Sequence, residues 1–164
     1  MKSPTPKIIL GIDPGYGRVG YGLIEQIGST MRCREYGCLT TPANSPIPSR
    51  LKSIHEQLGA IIARTQPQVV AVEQLFFYNN AKTAIDVGQA RGVIILTAQL
   101  HGLPIIEVTP LQAKQAVAGF GQADKKQVQR MVALLLKLEK LPTPDDAADA
   151  LAIAICASGM TPPI

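Results

Sequence analysis

The stretch K-I-I-L-G-I-D-P-G, residues 7–15, combines an apolar run with an acid and a turn. Its first seven residues predict a buried β-strand, and the Pro-Gly pair that follows Asp13 predicts a turn at its end. Two more strand-like runs follow at 19–26 and 31–41, and a Gly-Ser dipeptide lies between them. Short connections favour antiparallel neighbours, so we expect the first three strands to form a meander.

The hydrophobic period then changes to that of a helix. From Ser49 onward the apolar residues recur at helical spacing, and Pro48 supplies a helix start signal. The later segments predict a buried strand over 69–77, a long helix over 79–101 and a fifth strand over 104–109. Three more helices are expected from about Leu111, Asp124 and Asp145. This order predicts an α/β fold with a five-stranded mixed sheet flanked by helices.

Length and composition narrow the class of protein further. The 164 residues predict one domain over residues 1–164. The three cysteines are odd in number and lack zinc-type spacing, so we expect a reducing, cytoplasmic setting. The residues before Ile8 are few and polar, which predicts no secretory signal. No apolar run reaches membrane-spanning length, and we therefore expect no membrane partner.

Two acids occupy positions that are unusual for a charge. Asp13 ends the first strand, although Asp-Pro-Gly is also a common turn former. Glu73 lies inside the apolar run V-V-A-V-E-Q-L-F-F, residues 69–77, where an ionised side chain needs a partner. A plain salt bridge would meet that need, and so would a bound cation.

Three further acids crowd the start of the last predicted helix, in P-D-D-A-A-D-A-L-A-I-A, residues 144–154. A helix start explains part of this pattern, with Thr143 as the cap and a proline at the first position. Asp145 and Asp146 would then lie near the positive end of the helix dipole. The helix start does not explain Asp149, which lies one turn further along the same face.

These acids converge if the two strands are neighbours and the last helix crosses their ends. The set is then Asp13, Glu73, Asp146 and Asp149. Four ionised carboxylates at one place require cations, and oxygen-only ligands favour Mg²⁺, with Mn²⁺ as a plausible substitute. Two such ions around a phosphodiester would activate a water on one side and stabilise the leaving oxygen on the other.

A basic segment adds a second signal. Residues 114–140 contain six lysines and arginines against two acids. Such a segment is often only a solvated helix face. Beside an acidic site it would instead neutralise the backbone of a bound nucleic acid.

Six blocks of sequence follow one another along the chain: G-I-D-P-G (11–15), E-Q-L-F-F (73–77), G-Q-A-R-G-V (88–93), K-Q-A-V-A-G-F-G (114–121), D-K-K-Q-V (124–128) and D-A-A-D-A-L-A-I-A (146–154). Together they closely resemble the RuvC family of bacterial Holliday junction resolvases, over nearly the whole chain. The resemblance implies a ribonuclease-H-like fold and a homodimer. It also implies paired, metal-dependent nicks in two like-polarity strands of a four-way DNA junction, during recombination and repair.

The resemblance further implies which acids act. The acidic residues of the family match Asp13, Glu73, Asp146 and Asp149, as catalytic residues and metal ligands. Asp146 would serve either as a ligand or as the group that orients the attacking water. Asp145 is left with the capping role at the helix start.

The DNA contacts implied by the resemblance are basic and aromatic. The basic residues of the family match Lys114 and, by spacing, Lys125, with Lys126 as their neighbour. The aromatic residue of the family matches Phe76, placed to stack on or unstack bases near the junction centre. Phe77 is expected either to contribute to the same platform or to fill the core.

The dimer implied by the resemblance involves the helix over 79–101. This helix carries Gly88 and Gly92 at a spacing that permits close helix approach, although tight packing inside the domain is the usual role of such a pair. A two-fold dimer would present equivalent sites to a junction of near two-fold symmetry. The resemblance also suggests a branch-migration motor of the RuvA and RuvB type as a partner.

Three alternatives remain open from the sequence. G-I-D-P-G-Y-G-R-V-G-Y-G, residues 11–22, is similar to the phosphate-binding hairpin of the actin and sugar-kinase ATPases, but those enzymes need two such domains. Another ribonuclease-H-like nuclease would share the carboxylates without the preference for junctions. A catalytically inactive junction-binding protein would not need all four acids.

Overall fold

The computed structural model describes residues 5–76 and 81–162. Its first strands are β1 (Lys7–Asp13), β2 (Arg18–Ile27) and β3 (Thr30–Thr40), and they form the antiparallel meander that the sequence predicts. Gly28 lies in the turn between β2 and β3 with a φ of +59°. That backbone conformation favours glycine because a Cβ would be crowded there.

The chain continues as a helix and strand alternation. Its elements are α1 (Ile47–Thr65), β4 (Val69–Glu73), α2 (Ala81–Leu100) and β5 (Ile105–Val108). Strand β4 pairs in parallel with both β1 and β5, so the sheet order is β3-β2-β1-β4-β5. The last helices are α3 (Pro110–Ala118), α4 (Lys125–Leu135) and α5 (Asp145–Ser158). The predicted α/β class with a five-stranded mixed sheet is confirmed.

The sheet separates two apolar clusters because successive side chains of a strand point to opposite faces. Even-numbered residues of the parallel pair β1 and β4, such as Leu10 and Val70, pack against α1 and α2. Odd-numbered residues, such as Ile9 and Val69, pack against α3, α4 and α5. Asp13 and Glu73 are odd-numbered, so they continue the second of these faces.

Among the described residues, two predicted boundaries differ from the structure by two residues or more. The strand predicted over 69–77 ends at Glu73, because its neighbours end at the same level, with Pro14 after β1 and Thr109 after β5. The first helix begins at Ile47, slightly earlier than Ser49, with a proline in its first two positions. Phe77 and Asn79, which lie at predicted element ends, fall outside the described residues.

The cysteines are all free, as the absence of a disulfide framework predicts. Burial raises the pKa of the Cys33 thiol to about 11, so this group is protonated at neutral pH. In the described part of the chain, no helix has the length and apolar character needed to cross a membrane.

Candidate active site

Glycines bring α5 into direct contact with the sheet. Gly11 of β1 and Gly22 of β2 are register partners. A Cβ at Gly11 would lie 2.1 Å from the backbone oxygen of Ala150, and one at Gly20 would lie 2.0 Å from that of Asp146. No other residue type would allow this approach. The helix therefore rests its backbone on β1 and β2, with the acids of its first turns over the end of β1.

Asp13 is the last residue of β1, and its register partner in β2 is Gly20. Since Gly20 also touches Asp146, the two acids meet at this point of the sheet. The pKa of Asp13 is raised to about 8, and burial is the largest cause. Neighbouring carboxylates contribute to this rise, while the charge of Lys125 lowers the pKa. Those carboxylates are Glu73, Asp149 and Asp146.

Glu73 is the last residue of β4, directly beside the end of β1. The parallel register runs to the pair Ile12 and Val72, which sets Glu73 level with Asp13. Burial and then the charge of Asp149 raise the pKa of Glu73 to about 7, and Lys114 acts in the opposite direction. Glu73 forms no ion pair with any described residue, so none of them supplies the plain salt bridge.

Asp149 completes the cluster from α5. Burial is the largest cause that raises its pKa, and the nearby charge of Lys125 lowers it. Glu73 and Asp149 line a cleft of about 230 Å³ together with Lys114 and Lys125. The remaining walls of the cleft are apolar or small, and are formed by Pro110, Ala113, Val128 and Ala152. Two partly buried acids and two cations thus share one cleft at the carboxyl edge of the sheet.

Asp146 has a partner that the sequence analysis missed. Its Oδ2 lies 3.1 Å from Nη1 of Arg18, the first residue of β2, and both side chains are partly exposed. No sequence signal could identify this pair, because the two residues are 128 positions apart. Asp146 therefore lies at the edge of the carboxylate cluster, with part of its charge balanced by Arg18.

The expected capping role of Asp145 was wrong. Pro144 occupies the N-cap position of α5, and no side chain donates or accepts a cap hydrogen bond there. Asp145 instead accepts a 3.4 Å hydrogen bond from Nε2 of Gln129 in α4. The predicted cap at Thr143 was wrong as well, because the helix begins one residue later than the sequence suggested. Asp145 keeps a place in the first turn, where its charge still favours the helix dipole.

The basic residues are held by a well-formed helix start. Asp124 caps α4 and forms a reciprocal capping box with Gln127, which places Lys125 as the first helical residue at the cleft. Lys126 is exposed and does not line the cleft. Phe76 is 54% exposed just beyond the end of β4, so it does not fill the core. Tyr78, like Phe77, is outside the described residues.

The carboxylates of the site suit a hard divalent cation, although they are not arranged as a complete coordination shell. Among the described residues, no group of three or more His, Cys, Asp and Glu side chains has the arrangement of a metal site. Mg²⁺ commonly takes only one or two carboxylates and keeps several waters, so a cage is not required. Burial and neighbouring carboxylates raise the pKa of Asp13 and Glu73, so a bound cation would favour the ionised forms that can act as ligands. The chemistry of the residues therefore fits such an ion.

A mixed five-stranded sheet with acids at the ends of its central parallel strands, crossed by a helix with further acids, is a ribonuclease-H-like fold. The family model described as crossover junction endodeoxyribonuclease RuvC matches residues 9–157. The chain therefore belongs to the RuvC family, as its sequence blocks indicate.

Individual relatives agree with this assignment. The crossover junction endodeoxyribonuclease RuvC of Desulfitobacterium hafniense is 57% identical over 91% of this chain and 90% of its own length. The Moorella thermoacetica protein of the same name is 55% identical over 94% and 93%. A structure of Thermus thermophilus RuvC in complex with a Holliday junction substrate is 36% identical, with a TM-score of 0.87 over 93% of both chains.

Proposed function

We propose that this protein is an endonuclease that resolves four-way DNA junctions by divalent-ion-dependent hydrolysis of two symmetric phosphodiesters. The observation that carries the proposal is that Glu73 and Asp149 share one cleft with Lys114 and Lys125, while Asp13 lies close enough to interact with both acids. The names of the relatives and the junction bound to the Thermus thermophilus protein support the choice of substrate.

The carboxylates would hold the ion. Asp13, Glu73 and Asp149 are the proposed ligands, because their mutual repulsion is what a cation would relieve. Asp146 is either a further ligand or the group that orients the attacking water. Mg²⁺, or Mn²⁺ in its place, would activate water and offset the charge that develops on the phosphate.

The cations and the aromatic residue would hold the DNA. Lys114 and Lys125 line the same cleft as the acids, so they can contact a phosphate and offset charge in the transition state. Lys126 faces solvent beside them and would contribute to backbone neutralisation. Phe76 would stack on an unpaired base near the junction centre, an interaction worth about 1–3 kcal/mol.

We also propose a homodimer through α2. A Cβ at Gly88 or Gly92 would have no described atom within 4 Å, so this pair is not used for tight packing inside the domain. The same helix exposes Ile85, Leu96 and Leu100. An exposed apolar helix face is typical of an interface. Sedimentation equilibrium of the native protein and of Leu96→Glu would test this, because a charge at the interface should shift the dimer toward monomer.

The nuclease proposal is tested with a synthetic four-way junction, a linear duplex of the same sequence and Mg²⁺. The native protein should convert the junction into symmetric nicked duplexes and leave the linear duplex uncut. Asp13→Asn should bind the junction with an affinity within about threefold of native and cut at least 1,000-fold more slowly. Equal cutting by both proteins, or cutting of the linear duplex at the same rate, would refute the proposal.

Two other readings have their own outcomes in this experiment. A junction-binding protein without activity would bind but cut in neither Mg²⁺ nor Mn²⁺. An ATPase-like protein would show a clear thermal shift with ATP alone.

The partnership with a motor of the RuvA and RuvB type stays a prediction, and stimulation of cutting by such a complex would test it. Free cysteines are compatible with the predicted cytoplasmic setting.

A further inference from the structure

Arg91 reaches the end of β4 from the face of the sheet opposite the cleft. It belongs to α2, and its Nε donates a 2.9 Å hydrogen bond to the backbone oxygen of Glu73. Its Nη2 lies 3.0 Å from Oε2 of Glu107 in β5. The Arg91 side chain is only 19% exposed, whereas that of Glu107 is 47% exposed. Arg91 is thus tied to the main chain of a cleft residue without lining the cleft itself.

The backbone oxygen of Glu73 accepts the hydrogen bond from Arg91 at the point where the β1–β4 ladder ends. The last recorded pair of that ladder is Ile12 and Val72. The residue after Asp13 is Pro14, which has no backbone N–H to donate. Arg91 therefore supplies a hydrogen bond that the neighbouring strand cannot continue, at the residue that projects its carboxylate into the cleft.

Glu107 links Arg91 to Gln74, the residue that follows Glu73. Its Oε2 also accepts a 3.1 Å hydrogen bond from Nε2 of Gln74. The backbone N–H of Gln74 in turn donates to the oxygen of Val108 at 2.8 Å. Residues 73 and 74 are therefore held by a helix and by β5 together. Phe76 lies only two residues further on, so the same connection sets where that segment begins.

We propose that Arg91 is a positioning residue, which holds the main chain at Glu73 so that its carboxylate stays aimed at the cleft against the repulsion of Asp149. The need for such a restraint comes from the geometry of the site, because Glu73 lies just beyond the last β1–β4 pair and its side chain shares the cleft with Asp149. An unrestrained strand end would relieve that repulsion by turning the side chain away. The inference rests on the proposed nuclease function, and it deepens it.

A direct DNA contact is the competing role for Arg91. Its buried Nη2 lies within ion-pair distance of Glu107 but makes no well-aligned hydrogen bond to the described residues. The side chain also borders an open cavity of about 300 Å³ with Gln74, Leu75, Gly88 and Glu107. A phosphate bound there would use the spare donor. Junction affinity separates the two roles, because only a DNA contact makes Arg91 contribute to binding.

The test compares Arg91→Lys with Ile94→Val, a buried change on the same helix that removes one methyl group and no polar contact. Lysine keeps the charge beside Glu107 but cannot reproduce the planar fork that reaches two acceptors. Three quantities are measured: junction affinity without a divalent ion, single-turnover cutting at saturating protein, and the Mg²⁺ concentration at half-maximal thermal stabilisation without DNA.

For Arg91→Lys we expect junction affinity within twofold of native, cutting reduced about 10- to 100-fold, and a Mg²⁺ midpoint raised severalfold. Ile94→Val should lower the melting temperature and leave the other two quantities unchanged. Glu107→Gln, which removes the ion pair and keeps the side-chain volume, should have a smaller effect in the same direction. It also decides the question if Arg91→Lys does not fold.

The proposal is overturned if Arg91→Lys and Glu107→Gln cut at the native rate with the native Mg²⁺ midpoint. It is equally overturned if junction affinity falls in step with cutting, since Arg91 would then be a DNA contact. Failure of the native protein to cut would instead refute the nuclease function. The Mg²⁺ midpoint without DNA would still decide for or against Arg91 in that case.

Discussion

The two faces of the sheet differ in the side chains that they present to the helices packed against them. The face toward α1 and α2 is apolar, with Leu10 and Val72 among fully buried side chains. The face toward α5 carries Gly11 and then Asp13 where it approaches the helix. Both faces gain stability from burial of apolar area. Only the face toward α5 also gathers carboxylates at its edge, which is unfavourable for folding and useful for binding a cation.

The largest expected effect comes from adding an atom to the glycine face. Gly11→Ala would place a Cβ 2.1 Å from the backbone oxygen of Ala150, and a backbone atom cannot move aside as a side chain can. We expect a loss of more than about 4 kcal/mol in the free energy of unfolding, measured by urea denaturation. Gly59→Ala is the control, since its Cβ would meet only His101 at 3.6 Å. It should stabilise α1 by about 0.5–1 kcal/mol.

A matched pair of leucines distinguishes the two faces by activity. Leu58 in α1 and Leu151 in α5 are both fully buried, so each change to alanine should cost about 3 kcal/mol. Only Leu151→Ala should also slow junction cutting, because it loosens the helix two residues from Asp149. Single-turnover rates at 25 °C, taken where both variants are folded, make the comparison. Equal slowing by Leu58→Ala would mean that the faces are coupled.

The charge on the cleft face predicts an unusual pH dependence. Because the folded protein raises the pKa of Asp13 to about 8, it binds more protons than the unfolded chain between about pH 4 and pH 8. In EDTA, stability should therefore fall as pH rises through this window and level off above it. Asp13→Asn should be more stable than native at pH 8, by on the order of 3 kcal/mol. Denaturation at pH 4 and pH 8 tests this, and a native protein that gains stability toward pH 8 would contradict it.

The smallest effect is expected for a charge on the outer surface of α1. Lys52 and Glu56 form a 3.6 Å pair one turn apart, and both side chains are mostly exposed. Glu56→Gln should change the free energy of unfolding by less than about 0.5 kcal/mol. This change should vanish in high salt, whereas the stabilisation by Asp13→Asn should persist because buried charges are screened much less.

Local patterns predicted most of the elements correctly. The apolar run along β1 and the helical spacing after Pro48 depend only on neighbouring residues, and both elements formed. The end of β4 was missed because it depends on where β1 and β5 stop. The Arg18 to Asp146 ion pair was missed for the same reason, as it joins the start of β2 to the start of α5. The sequence marked Arg91 only as part of the block G-Q-A-R-G-V, residues 88–93, and gave no sign of its contact with Glu73.

The sequence by itself determined which side chains could do chemistry, because Asp13, Glu73 and Asp149 are conspicuous in apolar surroundings. It also determined that successive residues of a regular strand would point to opposite faces of the sheet, since that alternation is local. Only the tertiary structure decided that β1 and β4 lie side by side and end at one level. It also decided that α5 approaches closely enough for the acids to interact, because strand order and glycine contacts join residues that are far apart along the chain.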